Sequence, residues 1–474
     1  MPTVRRQLDR RQFLELSGKS LAAASLLPLI GCRSVKDDQR GAGLFAGTAK
    51  RKVTPPMAIP YLTSSGNGTC APFTGMHDDL FARALVLSEG KNSIAILAVD
   101  SIGYDNFILG KGRDFTKELR QRIARETKLL PEAIMLSATH AHSTPETIGL
   151  TSFREFPGVS EWLENHLQEL AATVVAAWKN RGLVRARFGS TRVEGIARNR
   201  RIVLKDGKMS RYGSLPPPEQ IAAPAPLDED LSVLYLESET GTPHSVLLNY
   251  TAHPVVTMLL PKISADYPGA AAALVEAAFP GATCLFTQGA AGNINSIHVT
   301  TKYEDALALG EKLGRAALNE ISDLRAESAL DKVSLNARAT TIFLEPRHCP
   351  PLIEAKKIAA AYPTALNLRT LRLAQKLAEG PLRAEIQTMR VGPVNWISLP
   401  GEPFVEMGLA LKQSGASFVC GYANGWLGYF PIRRAYDEGG YEVDMGAWSR
   451  VAPGSAKVLE WEAKKLLGKN LSNS

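Results

Sequence analysis

The chain has 474 residues, of which 45% are hydrophobic and 22% are charged, and its formal net charge is +8. Such a composition excludes a fibrous or wholly disordered protein and predicts a globular fold with a large buried core. The basic residues are scattered and their excess is mild, so no nucleic-acid partner is expected.

The first 32 residues have the pattern of an export signal. Two arginines stand in the sequence DRRQFL at 9–14, an apolar stretch follows at 21–30, and the sequence LIGC ends at Cys32. A twin-arginine motif, a short apolar segment and a small residue before cysteine are typical of a lipoprotein signal peptide. We therefore predict that residues 1–32 are a signal peptide with a lipobox and that Cys32 is lipidated. The alternative is a basic amphipathic helix that belongs to the fold.

Export by the twin-arginine pathway predicts a periplasmic or cell-surface lipoprotein. No later segment approaches the ~20 uninterrupted apolar residues of a transmembrane helix. The expected membrane contact is therefore the N-terminal lipid anchor, with residues 33–45 as a tether. Four further cysteines fit neither a zinc cluster nor a small disulfide scaffold, and their pairing and the oligomeric state stay open; they are Cys70, Cys284, Cys349 and Cys420.

Beyond the tether, apolar β-rich runs alternate with helical patterns, which indicates an α/β fold with a mixed β-sheet core flanked by helices. In chain order, strands are predicted at 94–100, 134–139, 231–236, 245–251, 283–287, 394–399 and 417–421, and helices at 115–127, 160–179, 303–321 and, as one long helix, between 350 and 379. The helix at 303–321 has one apolar stripe, formed by Ala306, Leu309, Leu313, Ala317 and Ile321.

The proline-rich segment 214–227 is predicted to be a loop, because prolines exclude a regular helix or central strand. It could mark a domain boundary. We favour a surface excursion within a single catalytic domain, 46–474, because the motifs on its two sides need one another.

Five short motifs carry residues suited to chemistry. They are SATHAHS at 137–143 with His140 and His142, LNYTAHP at 248–254 with His253, FTQGAAGNIN at 286–295, LPGEP at 399–403 with Glu402, and NGWLGYF at 424–430 with Tyr429. Residues two apart in an extended chain point to the same side, so the first two histidines are expected to address one site.

Each motif also has a structural explanation: satisfied core histidines, a loop histidine, or a tight strand-to-helix turn for the glycines. However, four of the five lie at the carboxyl end of a predicted strand, where open α/β sheets place their sites. Two or three histidines with one carboxylate are the ligands of a catalytic zinc ion. The motifs together therefore predict a metal site.

In this order the motifs resemble those of the neutral/alkaline, non-lysosomal ceramidases, from about residue 45 to residue 441. The sequences AGTA at 46–49, VTPP at 53–56, GMHD at 75–78 and ARA at 82–84 resemble the opening of that family's catalytic domain, and THAHS at 139–143 is similar to its THTHSGP motif.

The resemblance implies a zinc ion held by His140, His253, Glu402 and Tyr429. It implies that His142 is the acid/base residue and that Arg200, in the sequence RNRR at 198–201, contacts the substrate, with Arg200 or Tyr429 stabilising the oxyanion. The alternative for these arginines is a solvated basic hairpin, since a turn signal follows at 206–207.

The implied function is zinc-dependent hydrolysis of an N-acyl amide bond, in ceramide or a related small-molecule or lipid substrate, by a metal-activated water. The chain departs from the family pattern in three ways: Asn295 stands at a serine position, Thr144 and Glu146 interrupt the HSGP pattern, and no C-terminal immunoglobulin-like domain is expected. The alternatives are a related metal-dependent hydrolase of a non-sphingolipid amide or ester, and a non-catalytic lipid-anchored binding protein.

Overall fold

The computed structural model of the protein describes residues 43–64, 66–210, 216–330 and 333–468. The predicted signal peptide, Cys32 and most of the tether lie outside the described residues, as do the first two residues of the proline-rich segment, 214 and 215. Among the described helices, none has the length and apolar character needed to cross a membrane.

The strands of the described residues follow one another along the whole chain. They are β1 (Leu44–Lys52), β2 (Pro60–Ser64), β3 (Thr69–Pro72), β4 (Gly75–Met76), β5 (Phe81–Glu89), β6 (Asn92–Val99), β7 (Ile134–Ala138), β8 (Gly182–Arg192), β9 (Ala197–Asn199), β10 (Asp230–Ser238), β11 (Pro243–Tyr250), β12 (Lys262–Ile263), β13 (Thr283–Gln288), β14 (Ile294–Ser296), β15 (Leu335–Phe343), β16 (Arg383–Val391), β17 (Val394–Ser398), β18 (Glu402–Pro403), β19 (Phe418–Cys420) and β20 (Tyr429–Phe430).

The α-helices of the described residues are interspersed among them. They are α1 (Phe115–Glu126), α2 (Val159–Lys179), α3 (Asp266–Ala278), α4 (Tyr303–Ala326), α5 (Leu352–Ala361), α6 (Ala365–Leu377), α7 (Val405–Gln413), α8 (Ala435–Glu438) and α9 (Ser455–Leu466).

Two sheets form the centre of the fold. The larger has eight strands in the order β13-β11-β10-β8-β1-β5-β6-β7, and the smaller has four in the order β15-β16-β17-β19. Neighbouring strands are antiparallel except at β11/β13, β6/β7 and β17/β19, which are parallel. The predicted mixed sheet flanked by helices is therefore confirmed, and a second sheet joins it.

The two sheets pack face to face, and helices cover both outer faces. Alternate residues of β5 show this: Leu85 and Leu87 share a core with Trp396 and Phe418 of the smaller sheet. Ala84 of the same strand lies in the core formed with α1 and α2. Helices α3 and α4 extend that helical layer, while α7 and α9 cover the smaller sheet. In the larger sheet, strands β5, β6, β10 and β11 are buried on both faces, so they appear in the sequence as largely apolar runs.

The predicted strands and three of the predicted helices are confirmed, with ends shifted by a few residues. The apolar stripe of α4 is buried as expected. In the described part of the proline-rich segment, 216–227, only a short 3-10 turn occurs, at Pro218–Gln220, so the loop prediction holds there.

The long helix predicted between 350 and 379 is wrong: the segment is a helical hairpin of α5 and α6. Pro363 lies at the break, because proline removes an intrahelical hydrogen bond and clashes with the preceding turn. Thr364 then caps α6, its hydroxyl accepting a hydrogen bond from the amide of Asn367 at 3.2 Å. All four cysteines of the described chain, Cys70, Cys284, Cys349 and Cys420, are free thiols.

Candidate metal centre

The side chain of Gln288, at the end of β13, joins two histidine-bearing segments. Its Nε2 donates to the carbonyl oxygens of Thr139 at 3.2 Å and Ala252 at 2.7 Å, and its Oε1 accepts from the amide of Ala252 at 3.1 Å. Each of these contacts lies next to a candidate histidine, His140 or His253. The buried amide therefore holds the carboxyl ends of β7 and β11 together, although β7 and β13 are the two end strands of the large sheet.

The backbone of Tyr422 connects the segment that bears Glu402 to the end of β7. Its amide donates to the carbonyl of Gly401 at 2.8 Å, and its carbonyl accepts from the amide of Ala138 at 3.1 Å. These two hydrogen bonds place Glu402 beside the end of β7. This convergence explains why motifs far apart in the sequence meet in one place.

His140 is fixed by main-chain contacts. Its backbone has φ of 65°, in the left-handed region, and its amide donates to Ser101 O at 2.9 Å. Its Nδ1 donates to the carbonyl of Ile102. Since a carbonyl only accepts, Nδ1 carries the ring proton and Nε2 presents a lone pair to the site. The extended geometry expected for the HxH pair is wrong, because the chain turns at His140.

His253 is held in the same tautomer. Its Nδ1 lies 2.6 Å from Ala291 O and 3.0 Å from Ile294 O, so this nitrogen donates and Nε2 is bare. The bare Nε2 lies 3.0 Å from Oε2 of Glu402. Burial holds the pKa of both His140 and His253 well below the usual range, which favours the neutral rings.

Glu402 is the carboxylate on which these groups converge. Its Oε2 lies 3.6 Å from Nε2 of His140, and its Oε1 accepts from the indole N–H of Trp426 at 3.1 Å. The hydroxyl of Tyr422 donates to Oε2 at 3.4 Å. Burial raises the pKa of Glu402, opposed by His140, by Arg200 and by hydrogen bonds from Tyr429 and Trp426.

This donor set fits a divalent metal ion. Two bare imidazole nitrogens face one carboxylate oxygen, and a proton on Glu402 could satisfy only one of the two contacts. Ligands at about 2.0–2.1 Å from a tetrahedral zinc ion lie about 3.3 Å from one another. The observed separations of 3.0 and 3.6 Å bracket that value. Donation of Nδ1 to a carbonyl is also the usual support of a metal-binding histidine.

His142 lies beside this set. Its Nε2 is 3.2 Å from Nε2 of His140, and its side chain is half-buried, whereas His140 and His253 are buried. The ligand atoms of the three histidines lie within 4.8 Å of one another. The geometry thus brings His142 to the site and is compatible with a role as ligand or as proton carrier.

Tyr429 and Arg200 complete the set of sequence-predicted site residues. Tyr429, in β20, pairs with Glu402 in β18, and its hydroxyl lowers the pKa of that carboxyl by hydrogen bonding. The guanidinium of Arg200 lies 5.4 Å from the centre of the Tyr429 ring. Its positive charge adds to the larger effect of burial in lowering the pKa of His142 and of His253.

Arg200 is anchored inside the protein. Its Nε donates to Glu442 at 2.8 Å, Nη1 to Asn295 Oδ1 at 3.0 Å, and Nη2 to Gly292 O at 2.6 Å. Arg201 donates to the other oxygen of Glu442 at 2.8 Å. Both arginines are buried, so the alternative of a solvated basic hairpin is wrong for them.

The departures from the family pattern have structural consequences. Asn295 accepts a hydrogen bond from Arg200, so it orients that cation. Glu146 is fully buried and accepts from the amide of Leu150 at 2.8 Å and the hydroxyl of Thr151 at 2.7 Å, which ties down the chain after the HxH motif. Burial raises the pKa of Glu146 to about 6.

The glycine-containing turn packs against the carboxylate segment. A Cβ on Gly292 would lie 2.5 Å from Glu402 O, and the turn leads into β14 rather than into a helix. The strand-to-helix explanation of this motif is therefore wrong.

Sequence reasoning missed three residues that shape the site. Tyr422 stacks on the ring of His140 with centroids 4.0 Å apart, Gln288 joins the histidine segments, and Glu442 anchors Arg200. Gln288 lies in the motif at 286–295 and directly follows the predicted strand 283–287, so its position near the site could have been inferred from the sequence. Tyr422 and Glu442 have no local signal, because their contacts come from distant parts of the chain.

No protein-family model matches the sequence, and no curated protein matches it. Among solved structures, the chain is similar to neutral ceramidase from Pseudomonas aeruginosa, with a TM-score of 0.66, 17% sequence identity, and coverage of 90% of this chain and 74% of that one. A ceramidase complexed with C2 gives the same TM-score and identity, with coverage of 90% and 75%. The chain therefore has the neutral ceramidase fold, as the resemblance between the sequences predicts.

Proposed function

We propose that the protein is a zinc-dependent hydrolase that cleaves an N-acyl amide bond, in ceramide or a related N-acyl compound. The observation that carries this proposal is the pair of bare imidazole nitrogens, on His140 and His253, that face the buried carboxylate of Glu402. The fold shared with ceramidases supports the reaction class.

Zinc would be held by His140, His253 and Glu402, with the phenol of Tyr429 as a weaker fourth ligand. When bound, zinc lowers the pKa of water towards ~7 and polarises a carbonyl group, the two requirements of amide hydrolysis. Burial of the ligands excludes competing water and strengthens the electrostatic interactions of the site.

His142 is proposed as the acid/base residue. Because its Nε2 lies 3.2 Å from that of His140, its ring can accept the proton of the attacking water and pass it to the leaving nitrogen. The guanidinium of Arg200 lies 5.4 Å from the centre of the Tyr429 ring. The positive charge of Arg200 and the hydroxyl of Tyr429 would stabilise the negative oxygen that develops on the carbonyl.

A second candidate is the hydrolysis of a non-sphingolipid amide or ester by the same residues. Two observations favour it. Asn295 is bound to Arg200 where the family has a serine, and the buried Glu146 reshapes the chain after the HxH motif. Both changes lie outside the proposed zinc ligands, so they would alter the preferred substrate and not the metal site.

The experiment is a hydrolysis assay of the zinc-loaded protein on N-acyl sphingosines and on a panel of other amides and esters. We expect release of a carboxylic acid that a chelator abolishes and zinc restores, and the preferred substrate separates the two candidates. Glu402→Gln is the control, since it removes a ligand at nearly constant volume. Tight ligand binding with full zinc content and no product would instead indicate a non-catalytic binding protein.

We also propose that the protein is exported as a lipoprotein anchored through Cys32. The support is the sequence of residues 1–32 alone.

A further inference from the structure

The hairpin of α5 and α6 exposes large apolar side chains. Ile353 is 72% exposed, Tyr362 69%, Leu366 53% and Leu368 39%. The residues that the hairpin buries are mostly small; they are Ala355, Ala359, Leu373 and Ala374. The two helices therefore contact the body through a narrow face and leave a cluster of apolar side chains in solvent, which marks a binding surface.

The charge of the hairpin is mostly positive. Helices α5 and α6 carry one acidic residue, the exposed Glu354, and five basic residues, which are Lys356, Lys357, Arg369, Arg372 and Lys376. Lys356 and Lys357 are exposed, and within the described parts of the chain neither has an acidic partner. Burial lowers the pKa of Arg372 without a compensating carboxylate. The surface is thus both apolar and cationic.

The base of the hairpin is firmly attached. Nζ of Lys376 lies 3.4 Å from Asp105 and 2.9 Å from Glu379, and Arg450 reaches the same oxygen of Asp105 at 2.9 Å. The residues between the helices, 362–364, are all exposed. Because the base is fixed and the connection is exposed, the apolar side chains of the hairpin can enter an apolar environment while the rest of the protein stays folded.

We propose that this hairpin docks on an anionic lipid surface. The exposed Lys356 and Lys357 contact the headgroup phosphates. Tyr362 and Leu366 enter the boundary between headgroups and acyl chains, as the apolar side of an interfacial helix does. The net positive charge favours a membrane over a second copy of the chain, because two copies of this surface would repel each other.

The hairpin also lies beside a cleft of about 570 Å³, which Arg372 and Lys376 line together with Gly149 and Leu150. Gly149 and Leu150 belong to the chain that follows the HxH motif. Docking would therefore hold this side of the molecule at the membrane. The proposal stands apart from hydrolysis, because lipid binding is measured without turnover.

The test is flotation of the full chain with phosphatidylcholine vesicles, with and without phosphatidylglycerol. We expect phosphatidylglycerol to increase binding, and salt to reverse the increase. Lys356→Glu/Lys357→Glu should reduce that increase about tenfold or more. Lys91→Glu/Lys179→Glu is the charge-matched control, since these lysines are exposed elsewhere and should change it little.

A second pair of variants tests the apolar contact. Tyr362→Ser/Leu366→Ser should lose binding, whereas Leu130→Ser/Val458→Ser, at similarly exposed positions, should keep it. Because the comparison is made within one form of the protein, any N-terminal anchor contributes equally throughout. Equal losses in the hairpin and control pairs, an absence of any phosphatidylglycerol effect, or a hairpin-dependent dimer that does not bind vesicles would overturn the proposal.

Discussion

Two backbone contacts decide what the histidines of the site can bind. The carbonyls of Ile102 and Ala291 accept from Nδ1 of His140 and His253, so both rings turn Nε2 towards Glu402. In water these lone pairs would be hydrated. In the buried site, neutral nitrogens facing a carboxylate oxygen are unfavourable without a cation between them, because unpaired acceptors are costly to bury.

His140 and His142 are two residues apart but should differ in function. His140→Ala should lose zinc and activity together, because the coordination shell becomes incomplete. His142→Ala should keep the zinc and lose about 100-fold or more in kcat, the usual scale of acid/base catalysis. Zinc stoichiometry and kcat of both variants decide the matter: equal loss of zinc would make His142 a ligand, and full activity of His142→Ala would remove it from the mechanism.

Arg200 and Arg201 form a matched pair, since each donates to one oxygen of Glu442. Arg200→Gln and Arg201→Gln should lower the thermal midpoint by similar amounts, because each leaves that carboxylate with one cation. Only Arg200→Gln should lower kcat, by about 100-fold, since Arg200 lies against Tyr429. Equal kcat in the two variants would limit Arg200 to a structural role.

The residues of the site were partly predictable from sequence. His140, His253 and Glu402 follow apolar strands within short motifs, and the structure brings these three together. Tyr422 was missed because its contact with His140 depends on a chain crossing between β7 and the turn at Gly401. No local pattern carries that information.

At the scale of elements, most strands with two buried faces were predicted, but β5 was missed although all but its two end residues are buried. Strand β6 is a continuous apolar run, whereas β8 and β15 alternate with exposed polar residues and were not recognised. The prediction of one long helix at 350–379 was wrong because the helical pattern on both sides of Pro363 was given more weight than the helix-breaking effect of the proline. Pairing of the two sheets is non-local and leaves no signal in a single sequence window.

Helix α2 carries a buried histidine that should make folding sensitive to acid. Nε2 of His166 is hydrogen-bonded to the hydroxyl of Tyr104 at 2.8 Å, its ring stacks on Trp162, and burial lowers its pKa to about 4. Its pKa in the unfolded chain is ~6.5. Between these values the unfolded chain binds more protons, so this contribution to stability is complete above the unfolded pKa and is lost as pH falls.

His166→Gln tests this directly, since the glutamine amide can still form a hydrogen bond with Tyr104 and does not titrate. Between about pH 7.5 and about pH 5, the wild type should lose about 2 kcal/mol more of its free energy of unfolding than the variant. Urea titrations at both pH values measure the difference. An equal pH dependence of the two proteins would mean that His166 does not contribute.

At the scale of the whole molecule, the two-sheet arrangement creates the site. The large sheet supplies His140 and His253 at the ends of β7 and β11, and the smaller sheet supplies Glu402 just beyond β17. Neither sheet holds all the proposed ligands. Metal binding should therefore stabilise the packing between the sheets, because an ion that binds only the folded chain shifts the folding equilibrium.

The export proposal is tested on the intact protein from a membrane fraction. Mass spectrometry should find a mature chain that begins at Cys32 and carries several acyl chains, because one chain alone binds a bilayer only marginally. A Cys32→Ala variant should accumulate as an unprocessed precursor. Recovery of unmodified Cys32 from membranes would contradict the proposal.

The central claim is that one metal ion lies between the two sheets, held by His140, His253 and Glu402. Anomalous diffraction at the zinc absorption edge, on crystals grown with zinc, tests it most directly. We predict about one strong peak per chain, at about 2.0–2.2 Å from Nε2 of both histidines and from an oxygen of Glu402. A fully occupied peak elsewhere, or no peak in crystals whose protein retains activity, would contradict the account.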